Sequence, residues 1–163
     1  MAINKMVSIV AFIAAVVLAN YLTTQFGFVS VGFGLFATAG TYAAGCALVA
    51  RDFVQETIGL RGVWVALGLG AAFSFLLADS KVALASSIAF TVSELADFLV
   101  YTPLRRNRWR LAVVASSVVG AIIDTAIFLG FAFGVAAITP QVMAGQLVGK
   151  VFWVAIPVAL VGG

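Results

Sequence analysis

Residues 82–104 read VALASSIAFTVSELADFLVYTPL, and this stretch decides how the rest of the chain is interpreted. Its length fits one crossing of a bilayer, which takes about 20 mostly apolar residues in a helix. Glu94 and Asp97 nevertheless lie inside it. Ionised side chains in hydrocarbon are costly, so such residues generally face the interior of a helix bundle or a wet cavity. The stretch therefore predicts a transmembrane helix with a polar site on one face.

The composition is that of an integral membrane protein. Hydrophobic residues make up 64% of the 163 residues and charged residues 9%, whereas a soluble domain has roughly 25% charged residues. The mean hydropathy is +1.19. Six apolar stretches with short connections leave no room for a soluble catalytic or nucleotide-binding domain. The predicted fold is an all-α bundle of six transmembrane helices forming a single transmembrane domain over residues 1–163, with spans at residues 6–22, 35–58, 63–78, 82–104, 111–137 and 142–162.

Basic residues mark alternate connections between the predicted spans. Lys5 precedes the first span, Arg61 separates the second from the third, and the connection after the fourth holds an arginine loop made of Arg105, Arg106, Arg108 and Arg110. The positive-inside rule assigns these connections to the cytoplasm, so both termini are expected there. The net charge of +3 comes mostly from the arginine loop. It predicts contact with anionic lipid rather than with nucleic acid.

The chain offers little for metal or redox chemistry. It has one cysteine, Cys46, and no histidine. A single cysteine excludes an intramolecular disulfide, and the lack of histidine removes the usual zinc and haem ligands. We therefore expect no metal site and no cofactor.

The fourth span carries its polar and aromatic residues on one stripe. Ser87, Phe90, Glu94, Asp97 and Tyr101 recur at intervals of three and four, which places them on one helix face. Glu94 falls near the middle of the bilayer and Asp97 nearer the cytoplasm, counting 1.5 Å per residue from the outer end. The carboxylates could bind a ligand, or they could simply hydrogen-bond to neighbouring helices.

The fifth and sixth spans also place charges at mid-depth. Asp124 lies near the middle of the fifth span, with Phe128 one turn beyond it. The sixth span carries a second stripe, which consists of Gln146, Lys150 and Trp153. A carboxylate within a few ångström would keep Lys150 charged, so we expect it to pair with Asp124 or Glu94. A purely structural ion pair is the alternative reading.

Two further features of the sequence concern helix ends and helix contacts. The second span ends in a charged group that includes Arg51, Asp52 and Glu56. A solvated helix end or an intracellular gate is a better explanation for this group than substrate contact.

Gly145 and Gly149 form a small-xxx-small pair beside Lys150, which predicts close approach to a neighbouring helix.

These residue types together favour a flat, polar ligand. A planar solute could stack on the aromatic rings of the stripes while carboxylates accept its N–H groups and Lys150 or Gln146 donates to its carbonyl. A guanine-like edge fits this set of partners, because adjacent ring and exocyclic donors suit a bidentate carboxylate. The residues alone indicate no more than a small, polar, planar solute.

A series of motifs along nearly the whole chain resembles one family. The similar blocks are ANYL at 19–22; GTY at 40–42, with Asp52 and Gly59; AF at 89–90, with Glu94, Asp97 and PLR at 103–105; SS at 116–117, with Gly120; DT at 124–125, with Phe128 and AF at 132–133; and Lys150. In these blocks the chain resembles the queuosine precursor transporters, also called the vitamin uptake transporter family. The chain departs from that pattern in its very short third-to-fourth connection and in Glu94, where some members carry a neutral amide.

The resemblance implies a six-helix protein of the bacterial inner membrane that imports 7-cyano- or 7-aminomethyl-7-deazaguanine for salvage into tRNA queuosine. On this hypothesis the base docks between the fourth, fifth and sixth helices and leaves past Asp52, Asp97 and the arginine loop. Asp124 and Glu94 read the base, Lys150 balances charge and contacts a carbonyl, and Asn20 and Gln146 supply outer polar contacts. The lining is completed by Phe90, Asp97, Tyr101, Phe128 and Trp153.

Two other functions remain open at this stage. The chain could be the substrate-binding subunit of an energy-coupled vitamin or nucleobase importer. It could also be an intramembrane enzyme that uses Asp97 and Asp124 as acid and base, although no histidine or activated nucleophile accompanies them. The expected partners are the small-molecule base and membrane lipid, and a homo-oligomer is left open.

Overall fold

Six α-helices follow one another in the computed structural model, which describes residues 4–104 and 109–155, with the backbone alone for 109–110, 112–113 and 152–155. The elements are α1 Lys5–Phe26, β1 Phe28–Gly32, β2 Leu35–Thr38, α2 Thr41–Ile58, α3 Leu60–Leu77, α4 Ser80–Leu104, α5 Trp109–Phe133 and α6 Pro140–Leu147. A 3₁₀ turn, Val135–Ala137, follows α5, and a π-helical segment, Val148–Ala155, continues α6.

The helices are those of a multi-pass membrane protein. Within the described residues, α1, α3, α4 and the Val114–Phe133 part of α5 are long and apolar enough to cross a bilayer. Helix α2 matches α3 in length but carries Arg51, Asp52 and Glu56. Helix α6 has 8 residues before the π-helical segment begins. The side of the membrane on which the termini lie stays a prediction.

Side-chain caps start three of the helices. The Asn4 side chain accepts from Met6 N at 3.0 Å at the start of α1, and Thr139 Oγ1 accepts from Val142 N at 3.3 Å at the start of α6. Asp79 Oδ1 accepts from Lys81 N at 2.9 Å and so caps α4. Such caps satisfy backbone N–H groups that have no partner inside the helix. Because α3 ends at Leu77 and α4 begins at Ser80, these two helices are joined by the short connection that the sequence predicts.

The described residues are mostly helical, as predicted, but a short β-hairpin replaces the start of the predicted second span. The predicted second span begins at residue 35, but Leu35–Thr38 form strand β2, which pairs antiparallel with β1, and α2 begins only at Thr41. The turn needs left-handed backbone at Phe33 (φ 53°) and Gly34 (φ 73°). Glycine adopts this conformation freely, which is why the chain reverses here instead of continuing as a helix. The sequence feature that could have predicted these strands is a run of aromatic and β-branched residues bounded by glycines.

Differences also occur in the fifth and sixth spans. The fifth span was predicted to reach residue 137, but α5 ends at Phe133 because Gly134, at φ 91°, turns the chain away. The predicted end of the sixth span, beyond residue 155, lies outside the described residues. So do Arg105, Arg106 and Arg108 of the arginine loop, and the side chain of Arg110.

Contacts between α1 and α2 define the two ends of the bundle. Helices α1 and α2 are antiparallel neighbours, because the Ser8 and Thr57 hydroxyls lie 3.2 Å apart at one end while Gly40 N donates to Thr23 Oγ1 at the other. The latter end, here called the hairpin end, also holds the α3–α4 connection and the α5–α6 connection. There the ring centroids of Phe28 and Phe133, the last residue of α5, lie 4.8 Å apart.

Small residues allow the helices to approach closely. Helix α4 packs extensively on α5, and α1 packs on both α2 and α3. Gly40 has no room for a side chain, since a Cβ there would lie 1.9 Å from the Ala19 carbonyl oxygen. Helix association in lipid depends on van der Waals contact of this kind. One apolar core joins α1 to α4 through Phe12, Val16, Ala47, Val54, Val63, Ala66, Leu67 and Phe90, and the other joins α4 to α5 through Val82, Ala85, Ala89, Phe128, Leu129 and Ala132.

Candidate functional site

A cavity lies inside the bundle toward the hairpin end. Its empty volume is about 520 Å³, a figure that includes space open to the outside. Pockets for small molecules generally combine apolar walls with a few polar groups, as this one does. Five helices, the π-helical segment and strand β2 contribute to its lining, which consists of Val16, Ala19, Asn20, Thr23, Thr38, Gly40, Ala44, Ala47, Leu48, Ser86, Phe90, Asp124, Phe128, Gln146 and Lys150.

An ion pair lies in the cavity wall. Lys150 Nζ donates to Asp124 Oδ2 at 2.5 Å and to Thr125 Oγ1 at 3.2 Å. The Lys150 side chain is only 3% exposed and that of Asp124 14% exposed. The structure therefore selects Asp124 over Glu94 as the partner of Lys150. An ammonium has three N–H donors, so one remains beyond these two contacts.

A closed ring of hydrogen bonds joins three elements at the hairpin end. Thr41 Oγ1 donates to Gln146 Oε1 at 2.5 Å, and Gln146 Nε2 donates to Thr38 Oγ1 at 3.0 Å. The two threonine oxygens lie 3.1 Å apart. Because the Thr41 proton goes to Gln146, the Thr38 proton completes the ring by going to Thr41. The ring ties β2, α2 and α6 together beside the cavity.

Close contact at two glycines holds the same elements. A Cβ on Gly145 would lie 2.1 Å from the Phe36 carbonyl oxygen, and one on Gly149 would lie 2.5 Å from Thr41 Cγ2. The predicted close approach is therefore present, with strand β2 and the start of α2 as the neighbours. This contact places Gln146 and Lys150 against the cavity.

Aromatic rings and amides complete the wall. Phe90 packs against Phe12 with ring centroids 5.5 Å apart, which fixes its position on α4. Phe128 makes an edge-on contact with Phe133 at 6.1 Å. Asn20 is buried and donates from Nδ2 to Ser74 Oγ at 2.9 Å. The cavity thus combines two ring faces with amide and hydroxyl groups held by neighbouring helices.

A second charged group lies one turn from the cavity on α2 and α4. Arg51 Nη2 contacts the Glu94 carboxylate and lies 3.8 Å from Asp97 Oδ2, while Nη1 lies 2.7 Å from Asp52 Oδ1. Arg51 Nε is buried and has no hydrogen-bond partner among the described residues. We refer to Arg51, Glu94 and Asp97 as the arginine triad. It links α2 to α4 on the side of the cavity away from the hairpin.

Some of the predicted substrate residues line the cavity, and others belong to the arginine triad. Those that line the cavity are Asn20, Phe90, Asp124, Phe128, Gln146 and Lys150. Glu94 and Asp97 instead contact Arg51, and Tyr101 lies a turn beyond Asp97 on α4, outside the lining. The side chain of Trp153 lies outside the described residues.

The three predicted gate residues also lie in different environments. Arg51 is mostly buried at the centre of the triad, and Asp52 contacts it from a 70% exposed position. Glu56 is exposed and joins no ion pair within the described part of the chain. Asp97 and Asp124 contact different cations, which gives no support to an acid–base dyad.

Some residues of the site were not anticipated. Thr38, Thr41 and Thr125 hold the ring and the ion pair, yet no spacing rule distinguishes them from other threonines in the chain. On α1 only Asn20 was predicted, and the contribution of α2 was missed because its cavity-facing residues are mostly small, such as Ala44 and Ala47. Among the described residues, no group of His, Cys, Asp and Glu is arranged to hold a metal ion.

A helical bundle for the membrane with a partly polar cavity in its interior fits a small-solute transporter. Comparison with known proteins agrees with this class. A family model described as "Putative vitamin uptake transporter" matches residues 3–162, and the chain belongs to that family. It is a multi-pass membrane transporter.

One curated relative gives a more specific name. The chain is 34% identical over 83 residues to a protein of Escherichia coli (strain K12) named "Queuosine precursor transporter". The matched segment is 50% of this chain and 37% of that relative, so the chain spans well under two thirds of the relative's length. No solved structure matches the chain.

Proposed function

We propose that this protein imports queuosine precursors, 7-cyano- or 7-aminomethyl-7-deazaguanine, across the bacterial inner membrane for salvage into tRNA queuosine or a related 7-deazaguanine modification. The observation that carries the proposal is the Lys150–Asp124 pair in a cavity wall that also holds two phenylalanine rings. The name of the curated relative supports the choice of ligand.

Asp124 has acceptor capacity left for a base. A carboxylate offers about four lone-pair positions on its two oxygens, and the contact with Lys150 is made by Oδ2. Oδ1 can therefore accept from a ring or exocyclic N–H of the deazaguanine. The remaining N–H of Lys150 can donate to the neighbouring carbonyl of the same base edge.

The rings and amides account for the planar part of the ligand. A purine-like ring gains from stacking on an aromatic face, and Phe90 and Phe128 both line the cavity. Asn20 on α1 and Gln146 on α6 both line the cavity. Their amides can satisfy the polar atoms that a buried base would otherwise leave without hydrogen bonds.

The predicted topology assigns an outer and an inner side to the cavity. With the arginine loop in the cytoplasm, the hairpin end faces outward and the arginine triad lies between the cavity and the cytoplasm. A base enters at the hairpin end, docks at Asp124 and Lys150, and leaves past Arg51. In this scheme the triad closes the inner side while the cavity is open to the outside.

Complementation tests the proposed function. A bacterial strain unable to make queuosine is given this protein and fed each precursor at low concentration, and queuosine in tRNA is measured. We expect queuosine with the wild-type protein and with Glu56→Gln, and none with Asp124→Asn present in the membrane at the same level. Absence of queuosine with the wild-type protein for both precursors would overturn the proposal, and wild-type queuosine in Asp124→Asn would remove Asp124 from the site.

A further inference from the structure

The two buried charged groups differ in their charge balance. Lys150 and Asp124 form a neutral pair. The arginine triad instead has one guanidinium and two carboxylates, so it holds one negative charge in excess when all three groups are ionised. An uncompensated charge in a low-dielectric interior is unfavourable. The triad is therefore relieved by taking up one positive charge.

The geometry shows that the two carboxylates share one side of Arg51. Nη2 contacts the Glu94 carboxylate and lies 3.8 Å from Asp97 Oδ2. The side chains of Arg51, Glu94 and Asp97 are 13%, 7% and 23% exposed, so the triad lies mostly out of solvent. Asp52 adds a further negative charge from a 70% exposed position and so increases the imbalance.

No other charge on the surrounding helices compensates the triad in the described part of the chain. The elements packed against α2 and α4 are α1, α3, α5 and the π-helical segment after α6. Lys5 on α1 and Arg61 on α3 are exposed near helix ends. Asp124 on α5 and Lys150 on the π-helical segment neutralise each other. Where α5 faces Asp97 it presents Gly120, which carries no charge.

The triad lies next to the cavity. Glu94 lies one helical turn beyond the cavity-lining residue Phe90 on α4, and Arg51 lies one turn beyond Leu48 on α2. One turn rises about 5.4 Å, so a proton in the cavity has a short distance to cross to the triad. A change at the triad acts on two of the helices that line the cavity.

We propose that the arginine triad binds the proton that drives import, so that one proton enters the cell with each base. This inference rests on the proposed function for the identity of the base. The proton binds to the carboxylates of Glu94 and Asp97 from the cavity side. It neutralises one of them, weakens the link between Arg51 on α2 and α4, and leaves toward the cytoplasm after the base, when the ion pair re-forms.

Purified protein in liposomes tests the coupling. Labelled 7-cyano-7-deazaguanine is added outside while the interior is made about one pH unit more alkaline. One pH unit corresponds to 1.36 kcal/mol, so a symport of one proton per base supports about a tenfold accumulation inside. We expect that accumulation for the wild-type protein and its loss when a protonophore collapses the pH difference. Uptake that ignores the pH difference would overturn the proposal.

Matched variants locate the proton site. Glu94→Gln and Asp97→Asn each leave a single carboxylate opposite Arg51, which is a neutral arrangement with no proton to release. We expect both variants to exchange external labelled base for unlabelled base inside, yet to lose accumulation driven by the pH difference. Glu56→Gln, the same change at an exposed position of α2, keeps both activities. Full accumulation in either triad variant would contradict the assignment.

The exchange assay separates this inference from the proposed function. Exchange without pH-driven accumulation in the wild-type protein overturns proton coupling and leaves deazaguanine transport intact. A wild-type protein that neither exchanges nor accumulates either precursor overturns the proposed function itself.

Discussion

The ammonium of Lys150 lies 2.5 Å from Oδ2 of Asp124 and joins the π-helical segment after α6 to the middle of α5. The contact satisfies two charges that would be costly to leave alone in the bundle interior. It also places a donor and an acceptor side by side in the cavity wall. The same contact therefore serves the stability of the bundle and the recognition of a ligand that has adjacent N–H and carbonyl groups.

Breaking this pair from one side should destabilise the protein. Asp124→Asn leaves Lys150 buried without its anion, a loss that typically costs about 3–5 kcal/mol. The double variant Asp124→Leu with Lys150→Met removes both charges and should be more stable than either Asp124→Leu or Lys150→Met alone. Thermal unfolding in detergent measures these differences. Stability losses that simply add in the double variant would show that the two side chains do not interact.

The aromatic walls should contribute to base binding. Phe90→Ala or Phe128→Ala removes a stacking surface worth about 1–3 kcal/mol per base, which is roughly a 5- to 150-fold loss of affinity. Phe131→Ala is the matched control, because this residue lies on α5 but is 54% exposed. Titration calorimetry with 7-cyano-7-deazaguanine gives the affinities. Equal affinities for Phe128→Ala and Phe131→Ala would place the base elsewhere.

The hairpin contact should depend on Gly145. In Gly145→Ala the new Cβ would meet the Phe36 carbonyl at 2.1 Å, so β2 must move away from α6. Overpacking of this kind typically costs about 1–3 kcal/mol. Gly68→Ala on α3 is the control, since a Cβ there meets nothing within 4 Å. We expect a lower melting temperature for the first variant only. An unchanged melting temperature in Gly145→Ala would contradict the contact.

The hydrogen-bonded ring should hold the hairpin in place. Thr38→Val keeps the side-chain shape but removes the acceptor of Gln146 Nε2, which leaves a buried donor unsatisfied at a cost of about 1–3 kcal/mol. Hydrogen exchange followed by mass spectrometry should show faster exchange in residues 28–41 and little change in α3. Unchanged protection of the hairpin would mean that the ring does not anchor it.

The orientation of the bundle can be tested with reporters. The basic connections predict that both termini lie in the cytoplasm. Green fluorescent protein fused to the C-terminus should then fluoresce, and alkaline phosphatase fused there should be inactive. The opposite pair of results would invert the bundle and place the arginine triad on the outer side of the cavity.

The parts of the fold that could be predicted are those set by the mean hydropathy of stretches long enough to cross a bilayer. The cost of burying charge indicated a polar interior, and helical spacing put Asp124 and Lys150 at similar depth, so their contact could be anticipated. The same reasoning placed Phe90 and Phe128 on the polar stripes, and the structure puts both in the cavity wall.

The remaining details depend on rotations and contacts that the sequence does not specify. Glu94 was expected near Lys150, but α4 turns it toward Arg51, whose long side chain reaches from α2. The hairpin was missed because Leu35–Thr38 is apolar enough to continue the second span, and hydropathy alone does not separate a strand from a helix. The ring formed by Thr38, Thr41 and Gln146 requires knowledge of that hairpin.

The most direct test of the account is binding of 7-cyano-7-deazaguanine to the purified protein, compared with Asp124→Asn and Lys150→Gln by titration calorimetry. We expect saturable binding at one site in the wild-type protein and no measurable binding in either variant, with both variants still folded by circular dichroism. Wild-type affinity in both folded variants, or no binding to the wild-type protein, would contradict the central claim that this ion pair reads the base.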